Sequence, residues 1–327
     1  MMLCITHHST DPYFNIATDE YIFKNIKEDC FMLWRNDNAI IVGKHQNTLA
    51  EINHDYVKKR GIKVVRRLSG GGAVYHDLGN LNFSFTRTGD SYEMIDFERY
   101  TLPIIGVLKE LGVDARFEGR NDLTIEGKKF SGNAEHVFKN KVLHHGTLLF
   151  SSEMKDVSGA LKINPLKYKD RGVKSVPKRV TNISDHLKEK ISLEEFTGRV
   201  MDYILKTFPE ARKYEFTTED LAHIQKIRDE KYSTWDWNFG YSPDYNFRQG
   251  ARTAGGTVEM NMNVTNGVIQ EVRITGDFFH IRDIGPIEDA LREVRHEEGA
   301  IRDRLGQFKM KEYFRGITTD DLIAIMF

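Results

Sequence analysis

A glycine-rich segment at residues 66–82 carries residue types well suited to binding an anion. It reads RRLSGGGAVYHDLGNLN and lies between two β-rich runs. Three successive glycines, Gly70, Gly71 and Gly72, would weaken a strand, but they let a ligand approach main-chain N–H groups closely. Such backbone concavities suit anionic oxygens, and the paired arginines at the start of the segment add positive charge. The local chemistry predicts a ligand that bears a phosphate or a carboxylate.

A second interpretation of the same segment stays open at this point. Glycines punctuate turns, so the pattern also fits a hairpin turn with arginines on a solvated face. The segment is not a Walker loop, because no Gly-Lys-Ser/Thr follows it. It is not a dinucleotide fingerprint either, because the residues after Gly72 read as strand and not as helix. The motif alone predicts an anion without naming it.

Two further segments carry side chains capable of chemistry. Residues 121–134 read NDLTIEGKKFSGNA, in which the Glu-Gly pair predicts a hairpin turn with Lys128 and Lys129 just past its tip. Residues 142–150 read VLHHGTLLF, an apolar strand interrupted by two histidines. A lysine beside a turn is usually a solvated charge, and paired histidines in a strand are more often structural than ligands. Each segment alone is therefore a weak functional signal.

Together and in this order, the three segments resemble the lipoate–protein ligase A family of the biotin/lipoyl protein ligase superfamily. Weaker similarities at residues 11–20 and 34–47 match the family's opening helix and first strands. The length of 327 residues suits a bacterial-type member with a C-terminal accessory domain. The resemblance implies an α+β fold, with a large mixed-sheet, biotin/lipoyl-ligase-like catalytic domain at residues 1–245. A small α+β accessory (lid) domain would follow at residues 246–327.

The resemblance also implies a set of site residues. Lys129 lies two residues before Ser131, in the register of the family's lysine, and would be the catalytic cation that bridges the substrate carboxylate and the α-phosphate of ATP. Asn121 and Asp122 would hold Mg²⁺ or phosphate. The other residues implied to contact ATP or the lipoyl-adenylate are Arg67, Ser69, Gly70, Gly71, Gly72, Ala73, Val74, Tyr75, His76, His145, Gly146 and Thr147.

A charged stretch of weak periodicity occupies residues 156–190. Long irregular loops in compact enzymes are often lids or binding loops, although a solvated basic linker fits the composition equally well. The family resemblance favours an adenylate-binding loop, which would carry Lys174 and Arg179. Pro177 and Lys178 depart from the basic-Ser pair expected before Arg179.

The implied function is that of an ATP-dependent lipoate–protein ligase, with ATP and Mg²⁺ as cofactors. Free lipoate or octanoate would attack the α-phosphate and release pyrophosphate. A lysine of an acceptor lipoyl domain would then attack the acyl-AMP. The expected acceptors are the acyltransferase subunits of 2-oxo acid dehydrogenases and the glycine-cleavage H protein.

Two other functions compete with this one. An octanoyl or lipoyl transferase would need an active-site thiol, whereas the two cysteines, Cys4 and Cys30, lie outside the matched motifs. A non-enzymatic lipoate-binding protein is disfavoured by the retention of Lys129 and Asp122.

Composition excludes several other classes of protein. The chain has 47 Lys and Arg against 48 Asp and Glu, a net charge of −1, so no global basic field favours nucleic acid. No apolar run approaches the roughly 18–20 residues of a membrane span, and residues 1–6 read as a strand and not as a leader. Two cysteines without metal-ligand spacing favour a reducing, cytoplasmic compartment. We expect a monomer with no nucleic-acid or membrane partner.

Strands and helices must position the site residues. Residues 31–86 read as strand-rich with one helix near 53–60. A longer helix is predicted at 92–111, where Pro103 should kink it or begin its second part. A capping box at residues 192–195 predicts the start of another helix.

The C-terminal part has its own pattern. An aromatic-rich stretch at residues 231–248 predicts the linker between the two domains. Beyond it, alternation over residues 257–264 and the turn pair Asn266-Gly267 predict a hairpin with one buried face. Helices are predicted near residues 287–297 and 320–326.

Overall fold

The computed structural model describes residues 1–89, 96–119, 121–153, 159–161, 168–170, 180–276, 278 and 281–327. As far as the chain is described, it forms two compact units. The first unit combines residues 1–44, 57–161 and 175–234, and the second combines residues 45–56, 162–174 and 235–327. The second unit thus takes in a segment of the N-terminal half. The division of roles between residues 1–245 and 246–327 stays a prediction.

The elements of both units follow in chain order. The strands are β1 (Met2–Thr6), β2 (Asp29–Trp34), β3 (Ala39–Val42), β4 (Lys63–Arg66), β5 (Val74–His76), β6 (Asn80–Thr88), β7 (Ala115–Glu118), β8 (Asp122–Ile125), β9 (Lys128–Phe138), β10 (Lys141–Leu149), β11 (Tyr168–Asp170), β12 (Ala211–Tyr214), β13 (Tyr245–Thr253), β14 (Gly256–Thr265) and β15 (Val268–Gly276). The α-helices are α1 (Pro12–Asn25), α2 (Thr48–Glu51), α3 (His54–Arg60), α4 (Phe97–Glu110), α5 (Leu193–Thr207), α6 (Thr218–Ile227), α7 (Gly285–Leu291), α8 (Glu298–Leu305), α9 (Met310–Tyr313) and α10 (Thr319–Met326).

An eight-stranded mixed sheet is the centre of the first unit, in the order β12-β1-β2-β6-β10-β9-β8-β7. Strand β1 pairs in parallel with β12 and β2, and the remaining neighbours pair antiparallel. A second sheet in this unit has the order β4-β3-β5. The predicted α+β class and its large mixed sheet are confirmed.

One face of the large sheet carries the apolar core. Alternate side chains of β6, such as Phe83 and Phe85, pack there with Ile104 and Leu108 of α4 and with Phe196 of α5. Asp96 caps the described start of α4 and the Ser192 hydroxyl caps α5, as the sequence predicts for α5. Pro103 lies inside α4, so the helix continues through it at the loss of one N–H donor.

The other face of the sheet carries polar groups beneath α1. Strands pair so that His145 of β10 lies opposite Ser84 of β6. Because side chains alternate along a strand, His144 projects to the opposite side and contacts the rings of Phe83 and Tyr100. The two neighbouring histidines therefore occupy different environments, and only His145 lies on the side of α1.

The second unit contains a four-stranded antiparallel sheet in the order β11-β13-β14-β15. Its β14–β15 turn has positive φ at both Asn266 and Gly267, as the two-residue hairpin turn requires. The helix predicted at residues 287–297 is shorter, ending at Leu291, because Glu293 takes a positive φ of 61°. Helix α8, which follows it, is absent from the sequence-based prediction.

Candidate active site

The glycine-rich segment is held from inside by Arg67. Its Nε donates to Ser69 Oγ (2.9 Å), and its Nη2 donates to the carbonyl oxygens of Gly70 (2.5 Å) and Gly72 (2.9 Å). Its Nη1 donates to Ile41 O on β3 (3.0 Å). The guanidinium therefore makes three hydrogen bonds to residues 69–72, named the glycine loop below, and a fourth that ties it to β3. Burial and the neighbouring Arg66 lower the pKa of Arg67 to about 10.

The glycine loop packs closely against β3 and β9. A Cβ added at Gly43 would lie 2.1 Å from the carbonyl oxygen of Gly71, so only glycine fits there. Gly71 itself has a φ of +89°, and its added Cβ would meet Arg67 Nη2 at 3.0 Å and the Cβ of Ala134 on β9 at 4.0 Å. Packing therefore fixes the glycine loop between strands, and its predicted binding of an anion stays a prediction.

A buried polar chain leads from the glycine loop to α1. Ser69 Oγ lies 2.5 Å from Nε2 of His145, and Nδ1 of His145 lies 2.9 Å from Oδ2 of Asp19. The other oxygen of Asp19 accepts a hydrogen bond from Ser84 Oγ (2.7 Å), whose oxygen accepts one from Trp34 Nε1 (3.0 Å). Ser69 and Asp19 are 0% and 2% exposed.

Lys129 projects into the same region from β9. Its Nζ lies 2.9 Å from Oδ1 of Asp122 on β8, a carboxylate that is buried while the lysine is a quarter exposed. A Cβ on Gly132 would lie 2.6 Å from this Nζ and 4.0 Å from Thr147 Oγ1. Lys128, one residue earlier, is exposed. The structure thus brings together Lys129, Asp122 and Thr147.

The hairpin that carries Lys129 forms as the sequence predicts. Its turn residues Glu126 and Gly127 have φ values of 51° and 70°, which a type I′ turn requires and which an acidic residue followed by glycine tolerates. The main chain of Lys129 also bridges to Val180, where Thr181 N donates to its carbonyl oxygen (2.9 Å). Val180 and Thr181, which belong to the predicted adenylate loop, therefore lie beside this lysine. Lys174 and Arg179 themselves lie outside the described residues.

Asn121 and Gly146 both contact Asn133 of β9. Asn121 Nδ2 donates to Asn133 O (2.6 Å), and Asn133 Nδ2 donates back to Asn121 O (3.1 Å). A Cβ on Gly146 would lie 2.2 Å from Asn133 Oδ1 and 2.6 Å from the Phe83 ring. These contacts align β8, β9 and β10 so that Asp122 lies beside Lys129.

A second buried pair lies behind the site on the core face. His144 Nδ1 lies 2.8 Å from Oε1 of Glu135, and its Nε2 lies 3.2 Å from Asn133 Oδ1. Burial, with Asp96 nearby, raises the pKa of Glu135 to about 7. Burial lowers the pKa of His144 well below its usual value. Sequence reasoning missed Glu135, Asn133 and Asp19; Asp19 lies within the stretch that resembles the family's opening helix.

The residues expected near adenine follow the glycine loop. Ala73 is buried, and Val74 and Tyr75 pair with Ile41 and Ile40 of β3. His76 is buried, and its Nδ1 lies 3.0 Å from Asn36 Nδ2. Burial, with Arg67 and His145 adding to it, lowers the pKa of His76 to about 3.

The two cysteines are free and buried on β1 and β2. Burial raises the pKa of Cys4 to about 11 and that of Cys30 to about 12, so neither forms a thiolate readily. Within the described ranges, no group of three or more His, Cys, Asp or Glu residues is placed to hold a metal ion. No helix in the described part of the chain is long and apolar enough to span a membrane.

Two models of known protein families match this chain. A family model described as the lipoyl protein ligase A/B catalytic domain matches residues 11–205. Another, described as the bacterial lipoate protein ligase C-terminus, matches residues 242–326. The chain is 41% identical to lipoate–protein ligase 1 of Staphylococcus aureus over 328 residues, which covers 100% of both chains. The chain belongs to the lipoate–protein ligase family.

Solved structures of lipoate–protein ligases have the same fold. A bi-partite lipoate protein ligase of Thermoplasma acidophilum, studied with its E2 lipoyl domain, is 29% identical, with a TM-score of 0.62 over 73% of this chain and 96% of that one. A lipoate–protein ligase A bound with ATP is 28% identical, with a TM-score of 0.63 over 73% of this chain and 98% of that one. The resemblance inferred from the motifs is therefore confirmed, and the protein is an enzyme that ligates lipoate to protein.

Proposed function

We propose that this lipoate–protein ligase works in two steps through an acyl-adenylate. In the first step, a lipoate carboxylate oxygen attacks the α-phosphorus of ATP, and pyrophosphate leaves. In the second, the amine of an acceptor lysine attacks the acyl carbon, the bond to AMP breaks and the amine loses a proton. The observation that carries this proposal is the position of Lys129, a partly exposed ammonium over Gly132, close to Thr147 and next to a buried carboxylate.

Lys129 is the group proposed to stabilise the developing negative charge. Its ion pair with Asp122 at 2.9 Å fixes the ammonium before substrate binds. Because the cation is already in place, the site needs little reorganisation to reach the transition state. The ammonium would bridge the lipoate carboxylate and an α-phosphate oxygen while Asp122 keeps hold of it. Lys128 is exposed and has no role in this step.

The glycine loop is proposed to hold the carboxylate and phosphate end through its backbone. Arg67 binds the carbonyl oxygens of Gly70 and Gly72, so it shapes the loop from behind and adds positive charge beneath it. Gly71, with its positive φ, lets the backbone approach a ligand that a side chain would exclude. In this proposal Arg67 acts mainly by positioning the loop, with Ser69 as its partner.

The remaining site residues are assigned by their place around the loop. Gly72, Ala73, Val74 and Tyr75 would border the adenine, with His76 buried behind them. His145, Gly146 and Thr147 would form the floor. The adenylate loop with Lys174 and Arg179 would close over the intermediate.

Mg²⁺ is proposed to enter with ATP. Proteins usually bind this ion through one or two carboxylates plus phosphate oxygens, and Asp122 is the carboxylate at the site. Asn121 donates its amide nitrogen to Asn133, and its amide oxygen is the second proposed ligand. The ion would neutralise charge on the phosphates.

The proposed acceptors are lipoyl domains of 2-oxo acid dehydrogenase acyltransferase subunits and of the glycine-cleavage H protein. The adenylate route needs no enzyme nucleophile, in agreement with two buried cysteines of raised pKa. We further propose a cytoplasmic location, which the two free thiols support. The protein is proposed to be a monomer, with residues 246–327 as an accessory domain.

The test is ATP-dependent modification of an acceptor. The protein is incubated with ATP, Mg²⁺, lipoate and an isolated lipoyl domain, beside the same domain with its target lysine changed to arginine. Intact mass should increase by one lipoyl group in the first domain alone, with one AMP released per group. Transfer from a lipoyl-carrier protein without ATP, or labelling of both domains alike, would contradict the proposal.

A further inference from the structure

The buried chain from Asp19 to the glycine loop has one consistent pattern of hydrogen positions. An ionised carboxylate only accepts hydrogen bonds, so Nδ1 of His145 carries the hydrogen that Asp19 Oδ2 accepts at 2.9 Å. Arg67 Nε donates to Ser69 Oγ at 2.9 Å, so the hydroxyl must direct its own hydrogen elsewhere. Nε2 of His145, at 2.5 Å, is placed to accept it. Every member of the chain is then satisfied.

The burial of Ser69 decides whether these hydrogen-bonded groups can act as a nucleophilic triad. Ser69, His145 and Asp19 have the order of groups found in a Ser-His-Asp triad, but Ser69 is 0% exposed and its oxygen also accepts from Arg67. A serine in that position cannot reach an acyl carbon as a nucleophile. The hydrogen-bonded groups instead contact the guanidinium of Arg67, which holds the carbonyl oxygens of Gly70 and Gly72.

We propose that Asp19, through His145 and Ser69, is a positioning residue that sets the conformation of the glycine loop for adenylate formation. Asp19 selects the Nδ1–H tautomer of His145, and that tautomer makes Nε2 an acceptor. Ser69 then turns its hydrogen to His145 and its lone pair to Arg67, whose Nη2 holds the carbonyl oxygens of Gly70 and Gly72. The expected loss of adenylate formation rests on the proposed function. The expected positions of the hydrogens do not depend on it.

Asp19→Asn reverses this pattern with almost no change in shape. If the amide nitrogen faces Nδ1, His145 must carry its hydrogen on Nε2, and Ser69 Oγ then meets two donors while its own hydrogen loses its acceptor. If the amide oxygen faces Nδ1, the amide nitrogen points at Ser84 Oγ, which already accepts from Trp34. Either arrangement leaves one buried hydroxyl hydrogen without an acceptor, that of Ser69 in the first and that of Ser84 in the second, and such a loss is costly. The same change in a Ser-His-Asp triad gives the wrong histidine tautomer, so we expect the first arrangement, which disturbs the glycine loop.

The experiment combines a spectroscopic and a kinetic measurement on the full-length protein. Nitrogen-15 NMR of labelled histidine reports the His145 tautomer, assigned by a His145→Gln variant. Lipoate-dependent ATP–pyrophosphate exchange reports adenylate formation. We expect Nδ1–H in the wild type, Nε2–H in Asp19→Asn, and a fall in exchange on the order of 10²-fold, as misplacement of a reacting group typically gives.

Two further variants make the result specific. Ser69→Ala should lose exchange to a similar extent but keep Nδ1–H, and adding Asp19→Asn to it should cost little more, because both act through one chain. This variant also carries the test if Asp19→Asn does not fold. Asp11→Asn is the matched control, since its carboxylate precedes the same helix and binds Lys63 and Arg228 instead; its exchange should stay within threefold of wild type.

The outcomes separate this inference from the proposed function. An Nε2–H tautomer in the wild type, normal exchange in Ser69→Ala, or equal losses in Asp19→Asn and Asp11→Asn would overturn the positioning role. Absence of lipoate-dependent exchange in the wild type would instead contradict the adenylate route itself, while the tautomer measurement would still decide the hydrogen pattern.

Discussion

Removing the charge of Lys129 is the perturbation with the largest expected effect on chemistry. Lys129→Met keeps the unbranched stem that lies over Gly132 and deletes the ammonium 2.9 Å from Asp122. Loss of one preorganised electrostatic contact typically costs 10²–10³ in rate, about 3–4 kcal/mol of transition-state stabilisation. We expect a fall of that size in kcat for lipoate-dependent pyrophosphate exchange. The KM for lipoate should change only severalfold, since the charge matters most while negative charge builds on the α-phosphate.

Stability has to be separated from catalysis in this variant. Deleting the ammonium breaks its ion pair with the buried Asp122 carboxylate, at a cost of about 1–3 kcal/mol. The double variant Lys129→Met/Asp122→Asn replaces the buried carboxylate by a neutral amide of similar shape, so its melting temperature should recover. Its exchange rate should stay low, because the ammonium and the proposed Mg²⁺ ligand are both absent. Recovery of the exchange rate with the melting temperature would show that Lys129 acts on folding and not on chemistry.

Lys128→Met is the matched control for the same strand. Adjacent residues of a strand project to opposite faces, and Lys128 is exposed, so this variant should keep near-normal exchange. An inactive Lys128 variant beside an active Lys129 variant would refute the register and move the site to the other face of the hairpin.

Three other variants test separate parts of the account. Cys4→Ala/Cys30→Ala should keep turnover within threefold, because the adenylate route needs no thiol; loss of turnover in a protein that still melts cooperatively would revive a thioester route. Gly43→Ala places a Cβ 2.1 Å from a carbonyl oxygen of the glycine loop and should largely abolish exchange, whereas Gly198→Ala, at an exposed helical site with open space around it, should leave it unchanged. Glu135, whose pKa burial raises to about 7 from 4.5, binds a proton more tightly when folded, so its contribution to stability is lost as pH rises from 4.5 to 7. Glu135→Gln should lessen that decline in denaturant titrations across this range; an unchanged slope would contradict the raised pKa.

Local signals explain what the sequence predicts well. The hairpin below Lys129 depends on a Glu-Gly pair that tolerates positive φ, and the start of α5 depends on the Ser192 cap, so neighbouring residues suffice for both. Gly112, just after α4, takes a φ of +77°, which glycine adopts without strain at the end of a helix. The register that selects Lys129 over Lys128 came from the family motif and agrees with the contrast in exposure.

Long-range contacts explain what the sequence does not show. Asp19 and His145 are 126 positions apart, and Ser84 lies 65 positions from Asp19, so no spacing rule connects them. The role of Arg67 has the same origin: a basic residue beside glycines predicts an anion contact, but only the folded loop shows its N–H groups turned to backbone carbonyls. Tertiary packing determines which of these distant residues meet and which groups Arg67 binds.

Direct detection of lipoyl-AMP tests the proposed two-step adenylate route. The protein is mixed with ATP, Mg²⁺ and lipoate without any acceptor, quenched and separated by chromatography, while an unquenched sample is freed of ATP and then given a lipoyl domain. The adenylate route predicts non-covalently bound lipoyl-AMP, formed with an equal amount of pyrophosphate. In the second sample, the lipoyl group should pass to the domain with release of AMP. A lipoyl group covalently attached to the enzyme, or transfer that occurs without prior ATP, would contradict it.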